Sequence, residues 1–380
     1  MPLDLASIPI LDHHCHSFLR RATPYSALEF QSFFSEGGDD GIIEEHTPNS
    51  VFFRWAIKEV AQFLGCAPTT EAVLAARAAI PLSELSERML HDANIPVLLI
   101  DYGLGGADRM SIADMKSSLP KWRIEPILRL ETMAQELILK YKTFDQVVEA
   151  FVTTVENARA TGHVGLKSII AYRTGLAIRE TGKAEAAEAF GPVKERARRD
   201  STVRLADKPL NDYLLLRALE VAEKQALPLQ FHTGLGDNDL DMLYANPLHM
   251  RPLFESRQYK HVPFVLLHAS YPYVRELGYL ASLYSNVWMD MGLAIPFATV
   301  DIPSVWRQAL SLTPISKILF STDAYSLPDI FWLAARWGRW GLTQVLEELI
   351  AIGALTPDEA LDSTHQILHA NAEKLYEVKL

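Results

Sequence analysis

The sequence predicts an α/β protein, a (β/α)8 TIM barrel with a helical insertion after the first strand. Three observations support this fold: eight strand-like apolar runs alternate with helix-length segments, several runs are apolar almost throughout, and four end in histidine or aspartate. Continuous apolar runs are typical of strands buried on both faces of a parallel sheet. Strands that alternate with helices form βαβ units, and eight such units close a barrel. The 380 residues exceed the roughly 250 that a barrel of this kind needs.

The eight predicted strands are separated by segments that are long enough to form helices. Two of these segments have clear ends: the helix predicted at 143–160 is followed by Gly162, and the helix predicted at 211–226 is followed by Pro228. The predicted strands are residues 8–16, 95–100, 122–130, 164–170, 227–231, 262–267, 286–291 and 318–322.

The first predicted strand ends in a cluster of histidines, in the order Asp12, His13, His14, Cys15 and His16. Side chains alternate along a strand, so His14 and His16 are predicted to lie on the same face, about 7 Å apart along the chain. Two imidazole nitrogens at that spacing suit a single metal ion. A polar strand end without a ligand is the alternative that these residues alone leave open.

Three later strands each end in a side chain that can bind a metal. The apolar runs at 227–231 and 262–267 are followed by His232 and His268, and the run that begins at residue 318 leads to Asp323. Parallel strands place their carboxyl ends at the same edge of the sheet, where ligands bind in this class of fold. We therefore expect these residues to meet the histidines of the first strand.

Composition excludes several classes of partner. The formal net charge of -11 argues against nucleic acid, and no apolar stretch approaches the roughly 20 residues of a membrane span. Two cysteines are too few for a disulfide framework, and the N-terminus lacks a basic region and an apolar signal core. We expect a cytoplasmic protein with a small-molecule substrate and no membrane partner, and a homo-oligomer is possible.

Two insertions interrupt the alternation of strands and helices, and we interpret residues 1–380 as one domain. The longer insertion, 17–90, has helical periodicity at 50–64 and 70–90. It follows the first strand, so it leaves from the predicted catalytic edge and is predicted to act as a cap. The shorter insertion, 174–208, is rich in charged residues and is predicted to be a solvated helical surface segment.

These motifs together resemble those of the amidohydrolase superfamily of metal-dependent (β/α)8 hydrolases, in particular the amidohydrolase-2 group. The resemblance covers nearly the whole chain and includes the order of His14, His16, His232, His268 and Asp323. The segments 165–169, 171–175 and 331–336 and the C-terminal stretch 367–376 are also similar to the amidohydrolase domain that is fused to glutamine synthetase-like domains in nodulin-type plant and fungal proteins.

The resemblance implies a role for each residue of this set. His14, His16 and His232 would be metal ligands, and Asp323 would bind the metal or water and act as general base. His268 would either bind a second metal or polarise the carbonyl of the substrate. The expected cofactor is a divalent ion, zinc or else manganese, with one ion favoured over two.

Lys167 bears on the number of metal ions. Some members of the superfamily carry a carboxylated lysine at the end of the fourth strand, where it bridges two ions. In this chain the fourth strand is predicted to continue to residue 170, which would place Lys167 deeper. We therefore expect a buried or substrate-facing ammonium group, with a bridging carbamate as the alternative.

Cationic residues near the strand ends suggest the charge of the substrate. Tyr172 and Arg173 end the fourth predicted strand, Arg129 lies at the end of the third, and Arg275 follows His268 closely. Guanidinium groups pair bidentately with carboxylates, so these residues are candidates for binding a carboxylate on the substrate. The alternative is that each arginine forms a structural ion pair.

The sequence thus predicts an enzyme that hydrolyses a C–N amide bond, such as that of a carboxylate-bearing or γ-glutamyl amide. Non-oxidative decarboxylation and uronate-type isomerisation use related barrels, so both remain alternatives because the fold and the first ligands are shared. A third interpretation is a barrel that binds without catalysis, in which case no divalent metal would co-purify.

Overall fold

A computed structural model describes residues 3–20, 24–106 and 108–380, so a small part of the predicted insertion at 17–90 lies outside the described residues. Its central sheet contains eight parallel strands in the order of the sequence. We number them β1 (Leu11–Cys15), β2 (Val97–Asp101), β3 (Arg123–Arg129), β4 (Gly165–Ser168), β5 (Leu229–Phe231), β6 (Phe264–Leu266), β7 (Val287–Asp290) and β8 (Ile318–Leu319). A further short strand, Gly292–Leu293, lies outside this sheet.

Backbone hydrogen bonds close the sheet into a barrel between β1 and the chain that follows β8. The amide of Asp323 donates to the carbonyl of His14 (3.0 Å), and the amide of His16 donates to the carbonyl of Ala324 (2.8 Å). These bonds confirm the predicted (β/α)8 TIM barrel. They also place the first strand next to the segment that follows the last strand.

The helices surround the barrel and fill the predicted insertions. None of the described helices is both long and apolar enough to cross a bilayer. They are α1 (Ala27–Ser32), α2 (Val51–Leu64), α3 (Thr70–Ala78), α4 (Leu82–Asp92), α5 (Ile112–Ser118), α6 (Leu130–Lys140), α7 (Phe144–Glu156), α8 (Lys183–Asp200), α9 (Lys208–Gln225), α10 (Arg251–Glu255), α11 (Val274–Leu283), α12 (Ala294–Phe297), α13 (Ile302–Leu312), α14 (Pro328–Ala351), α15 (Pro357–His365) and α16 (Asn371–Tyr376).

Two sequence-based boundaries differ from the structure. The helix predicted at 70–90 is divided into α3 and α4, because Pro81 lacks an amide hydrogen and lies at the N-terminal cap of α4. The strand predicted at 164–170 ends at Ser168 as β4. There, Glu131 accepts bonds from the Ser168 hydroxyl (2.6 Å) and the Ile169 amide (3.0 Å), and a 3₁₀ turn follows over Ile170–Tyr172.

The core has two layers, one between the barrel and its helices and a smaller one inside the barrel. The smaller layer joins residues of the strands to residues of the C-terminal segment. Its fully buried members are Leu11, Val97, Leu99, Ile127, Val265, Leu267, Leu319, Ala372, Tyr376 and Val378.

The insertion after β1 is attached to the barrel by a buried ion pair. Arg77 on α3 donates two bonds to Asp329 on α14, Nε to Oδ1 (2.9 Å) and Nη2 to Oδ2 (2.6 Å). Asp329 is fully buried and Arg77 is 7% exposed. Paired in this bidentate geometry, the two charges offset the cost of removing them from water.

We expect Arg77→Met to lower the free energy of unfolding by about 3 to 5 kcal/mol, because it leaves the buried Asp329 carboxylate without its partner. The measurement is equilibrium unfolding in urea. The control is Arg307→Met, which removes an exposed bidentate pair with Glu348 and should cost less than about 1 kcal/mol. Equal effects of the two substitutions would contradict the assignment.

Candidate metal centre and substrate cavity

Three metal-binding side chains meet at the carboxyl edge of the barrel. One ligand atom from each of His14, His16 and Asp323 lies within 4.8 Å of the others. Oδ1 of Asp323 is 3.0 Å from Nε2 of His14 and 3.4 Å from Nε2 of His16. The fold therefore brings together the end of β1 and the residue that follows β8.

The two histidines of β1 are held by hydrogen bonds at their outer nitrogens. Nδ1 of His14 lies 2.8 Å from Oε1 of Gln230, and Nδ1 of His16 lies 2.7 Å from the carbonyl oxygen of Asp101. Because both partners are acceptors, each Nδ1 carries the hydrogen and each Nε2 presents a lone pair toward Asp323. Such outer contacts orient histidine ligands in metal sites.

Gln230 is itself held in place by two hydrogen bonds. Its Nε2 donates to the carbonyl of His13 (2.8 Å) and to the hydroxyl of Tyr376 in α16 (2.9 Å). The pairing of β1 with β2 is irregular between Asp12 and Cys15, which is consistent with a bulge. The His13 ring also lies near Gln230, with its Nδ1 3.5 Å from Nε2, whereas strict alternation predicts opposite faces for the side chains of His13 and His14.

His232 and His268 form a second histidine pair beside the first cluster. Nε2 of His268 is 2.8 Å from Nδ1 of His232, and Nδ1 of His268 is 3.3 Å from Oδ2 of Asp323. A hydrogen on Nδ1 of His268 is favoured because it faces the carboxylate. His232 then donates from Nδ1, which leaves a lone pair on its Nε2.

Several buried atoms of this edge have no hydrogen-bond partner among the described residues. They are Oδ1 of Asp323, Nε2 of His232 and Nδ1 of His268. An unpaired buried polar atom is costly unless something else satisfies it. Oδ1 of Asp323 and Nε2 of His232, together with the lone pairs on Nε2 of His14 and His16, are donors that zinc and similar divalent cations prefer, so the residues present fit a bound metal ion.

The protonation states of the cluster also suit metal binding. Burial lowers the pKa of His14 to about 3, an effect to which Lys167 adds, and burial lowers the pKa of His268 to about 4. Burial alone raises the pKa of Asp323, but His268 and His14 outweigh it and hold that pKa well below its usual range. At neutral pH His14 and His268 are neutral and Asp323 is charged, which are the protonation states that metal binding requires.

The backbone is strained at two residues of the cluster. His268 has φ of 68° and Asp323 has φ of 47°, a left-handed region that costs a non-glycine residue about 1 to 3 kcal/mol. Oδ2 of Asp290, at the end of β7, accepts a hydrogen bond from the His268 amide (3.1 Å). Strain that surrounding contacts maintain in this way is concentrated at functional sites in proteins.

Lys167 reaches this cluster, which corrects the expectation that it lies too deep. It is buried near the end of β4, and its Nζ lies 3.2 Å from Nε2 of His14. Burial lowers the pKa of its ammonium group to about 8. The difference from the expectation arises because β4 ends at Ser168, so Lys167 is one residue from the edge.

A cavity of about 470 Å³ opens above the cluster, and it is lined by His16, Lys167, His232, His268 and Asp323. This volume lies within the range of small-molecule sites, about 300 to 1,000 Å³. Residues 35–38 of the insertion and residues 237–239 after β5 form part of its wall.

The four predicted substrate-binding residues have different environments. Tyr172 and Arg173 line the cavity, and the Tyr172 ring packs 4.4 Å from that of His232. Arg129 also lines it but is bound bidentately by Asp101 (2.9 and 2.6 Å), as the ion-pair alternative expects. Arg275 is exposed on α11 and is not among the residues that line this cavity, so the fold does not bring it to the site.

Arg173 keeps free hydrogen-bonding capacity. Its Nε is buried and has no partner among the described residues, and its Nη1 is 3.6 Å from the half-exposed carboxylate of Asp239. Of the predicted arginines, it is therefore the one that faces the cavity with a donor left over.

Sequence reasoning missed four residues of the site. Asp101 and Asp290 end apolar strands, the same signal that identified Asp323, and Gln230 lies inside the strand before His232. Glu36, on the cavity wall, carries no such signal because it lies in an irregular segment of the insertion between Ser35 and Gly37.

We expect Gln230→Leu to weaken the affinity for the metal by about 10- to 100-fold, because Nδ1 of His14 loses the acceptor that orients the ring. Gln230→Glu keeps an acceptor at this position and should weaken it less. The dissociation constant is measured by competition with a chelator, and the exposed Gln258→Leu is the control. An unchanged dissociation constant for the metal in Gln230→Leu would contradict the inference that Gln230 positions His14.

The chain is similar to known proteins in both sequence and structure. The model of the amidohydrolase family matches residues 108–378. The chain is 32% identical over 406 aligned residues to protein FluG of Emericella nidulans, covering 97% of this chain and 46% of FluG. The chain thus spans about half the length of this curated relative.

Two solved structures are similar over almost the whole chain. A protein of Lactobacillus casei ATCC 334 assigned as a metal-dependent hydrolase has a TM-score of 0.89 and 31% identity, covering 98% of this chain and 96% of that chain. A uronate isomerase of Bacillus halodurans C-125 has a TM-score of 0.65 and 15% identity, covering 99% of this chain and 94% of that chain, and shows the fold alone.

The predicted family is confirmed, whereas the similarity to domains fused with glutamine synthetase-like domains stays a prediction. The match of the family model covers most of the chain, and the FluG relative covers nearly all of it. This chain therefore belongs to the amidohydrolase family and is an enzyme of that metal-dependent family.

Proposed function

We propose that the protein hydrolyses a C–N amide bond in a small molecule that carries a carboxylate. The observation that carries this proposal is the pair of buried atoms without partners, Nε2 of His232 and Oδ1 of Asp323, beside the lone pairs of His14 and His16. In this proposal His14, His16, His232 and Asp323 hold one divalent cation. Zinc is the proposed ion, because neutral imidazoles with one carboxylate are a donor set that it prefers.

When it is bound, such a cation supplies Lewis acidity, which lowers the pKa of water and polarises a carbonyl group. Asp323 is charged and has an oxygen without a partner, so it accepts the proton that water loses when its oxygen attacks the amide carbon. The same proton then passes from Asp323 to the leaving nitrogen as the C–N bond breaks. The products are a carboxylic acid and an amine.

His268 is proposed to act on the carbonyl oxygen of the substrate. It is neutral and fully buried at the cavity floor, and its ring is held between His232 and Asp323. Its only N–H is at Nδ1, which has no hydrogen-bond partner among the described residues and is the proposed donor. A fixed imidazole N–H stabilises developing negative charge more strongly in a buried site than in water. A second metal ion at His268 and Lys167 is the alternative role for these two residues.

Arg173 is proposed to bind the carboxylate of the substrate. Its guanidinium has an unpaired buried nitrogen beside the cavity, and Tyr172 lies next to it along the chain. We further propose that the insertion at 17–90 acts as a cap, since residues 35–38 form part of the wall above the cluster.

We expect the purified protein to contain a divalent metal and to lose hydrolytic activity when a chelator removes it, with recovery when the metal is returned. Asp323→Asn should lower kcat by at least about 100-fold, because the base is lost. The measurements are elemental analysis and amide hydrolysis, with the exposed His249→Ala as control. Full activity in metal-free protein would contradict the proposal.

We expect Arg173→Met to raise KM about 10- to 100-fold for carboxylate-bearing amides and to leave neutral amides within about twofold, because a charge-assisted contact is lost. Arg275→Met is the matched control, since this exposed arginine lies outside the cavity lining. An equal rise in KM for charged and neutral amides would contradict the proposal that Arg173 binds a carboxylate of the substrate.

The reaction class is separated from its alternatives by a panel of substrates. Amides release an amine, hydroxybenzoates release CO₂ on decarboxylation, and uronates yield a ketose on isomerisation. Activity restricted to hydroxybenzoates or to uronates would replace hydrolysis as the function of the same metal site.

A further inference from the structure

Glu36 contributes an unpaired carboxylate oxygen to the cavity wall. It lies in the irregular segment between α1 and α2, within the insertion, and its Oε1 is buried without a hydrogen-bond partner among the described residues. Neither the metal cluster nor the proposed hydrolytic step uses this group. A buried carboxylate oxygen without a donor is costly, so an occupant of the cavity that supplies one is favoured.

The groups that act most strongly on Glu36 are negative or neutral. The groups that act on it most are Asp323, Asp237 and the hydroxyl of Tyr325, and burial together with the two aspartates raises the pKa of the Glu36 carboxyl to about 7. A cation placed in the cavity near Glu36 would compensate these charges.

The segment that carries Glu36 is packed closely against the opposite rim. A Cβ atom added at Gly38 would lie 2.7 Å from Nδ2 of Asn238, in the loop after β5. This close approach holds Glu36 over the cavity. The position of the Glu36 carboxylate therefore depends on this packing between the insertion and the loop after β5.

Charges of opposite sign thus line one small cavity. Arg173 offers an unpaired buried donor and Glu36 offers an unpaired buried acceptor. Arg129, a further guanidinium in the lining, is already bound by Asp101. A ligand with a single negative group would satisfy Arg173 and leave Glu36 unpaired.

We propose that Glu36 binds an ammonium group of the substrate while Arg173 binds its carboxylate, so that the enzyme acts on the side-chain amide of an α-amino acid, such as a γ-glutamyl amide. This inference rests on the proposed amide hydrolysis. It adds that the α-amino group must be free, because an ammonium group brings a positive charge to the Glu36 carboxylate and an acylated amine is neutral.

The first test compares two ligands that differ in one ammonium group. Isothermal titration of the metal-loaded protein with L-glutamate and with glutarate should show at least about tenfold tighter binding of L-glutamate. In Glu36→Gln the two ligands should bind within about twofold of each other, with the affinity for glutarate little changed. Glu36→Asp should keep part of the preference, and Glu44→Gln, at an exposed glutamate of the same insertion, should keep all of it.

The second test measures turnover of γ-L-glutamyl-p-nitroanilide and glutaryl-p-nitroanilide, which differ in the same ammonium group. The wild type should have a kcat/KM at least about tenfold higher for the γ-glutamyl compound, and Glu36→Gln should lose this preference. If neither anilide is cleaved while the glutamate preference persists, the proposed hydrolysis fails and the ammonium site stands.

Three results would overturn the ammonium site. They are equal binding of L-glutamate and glutarate by the wild type, retention of the preference in Glu36→Gln, and absence of saturable binding of either diacid. The first and third need no variant, so the proposal stays testable even if Glu36→Gln fails to fold.

Discussion

The site depends on the closure of the barrel between its first and last strands. The hydrogen bond from the Asp323 amide to the His14 carbonyl places residues that are more than 300 positions apart on neighbouring strands. Without that contact, the histidines of β1 and the carboxylate after β8 would belong to opposite edges of an open sheet. Closure of the barrel thus brings candidate metal-binding residues from both ends of the chain together, which no local sequence motif can do.

A buried polar layer beneath the cluster keeps these ligands in position. Asp12 accepts hydrogen bonds from the amide and the hydroxyl of Thr322 (3.0 and 2.5 Å), which ties β1 to the segment after β8 a second time. Asp290 accepts hydrogen bonds from the ring of His13 (2.9 Å) and from the amide of His268. Each of these groups would be expensive to bury alone, and together they satisfy one another.

The strand order, the edge that carries the site and the family could be predicted from the sequence, because apolar runs that end in His or Asp are a local signal. Four features could not. The irregular pairing in β1 that brings His13 beside Gln230, and the early end of β4 that brings Lys167 to the edge, arise from contacts with distant residues. Arg275 follows His268 closely, yet the chain has already entered α11 and turned away from the cavity. Glu36 reaches the wall through the packing of the insertion, which has no periodic pattern at that point.

The hydroxyl of Tyr376 couples the floor of the barrel to its reactive rim. It receives a hydrogen from the Gln230 amide, whose oxygen in turn holds the ring of His14. The last helix therefore does more than fill the inner core. It begins a chain of hydrogen bonds that runs from Tyr376 through Gln230 to His14. A change at Tyr376 would therefore reach the ring of His14 through Gln230, although the two residues lie at opposite ends of the sequence.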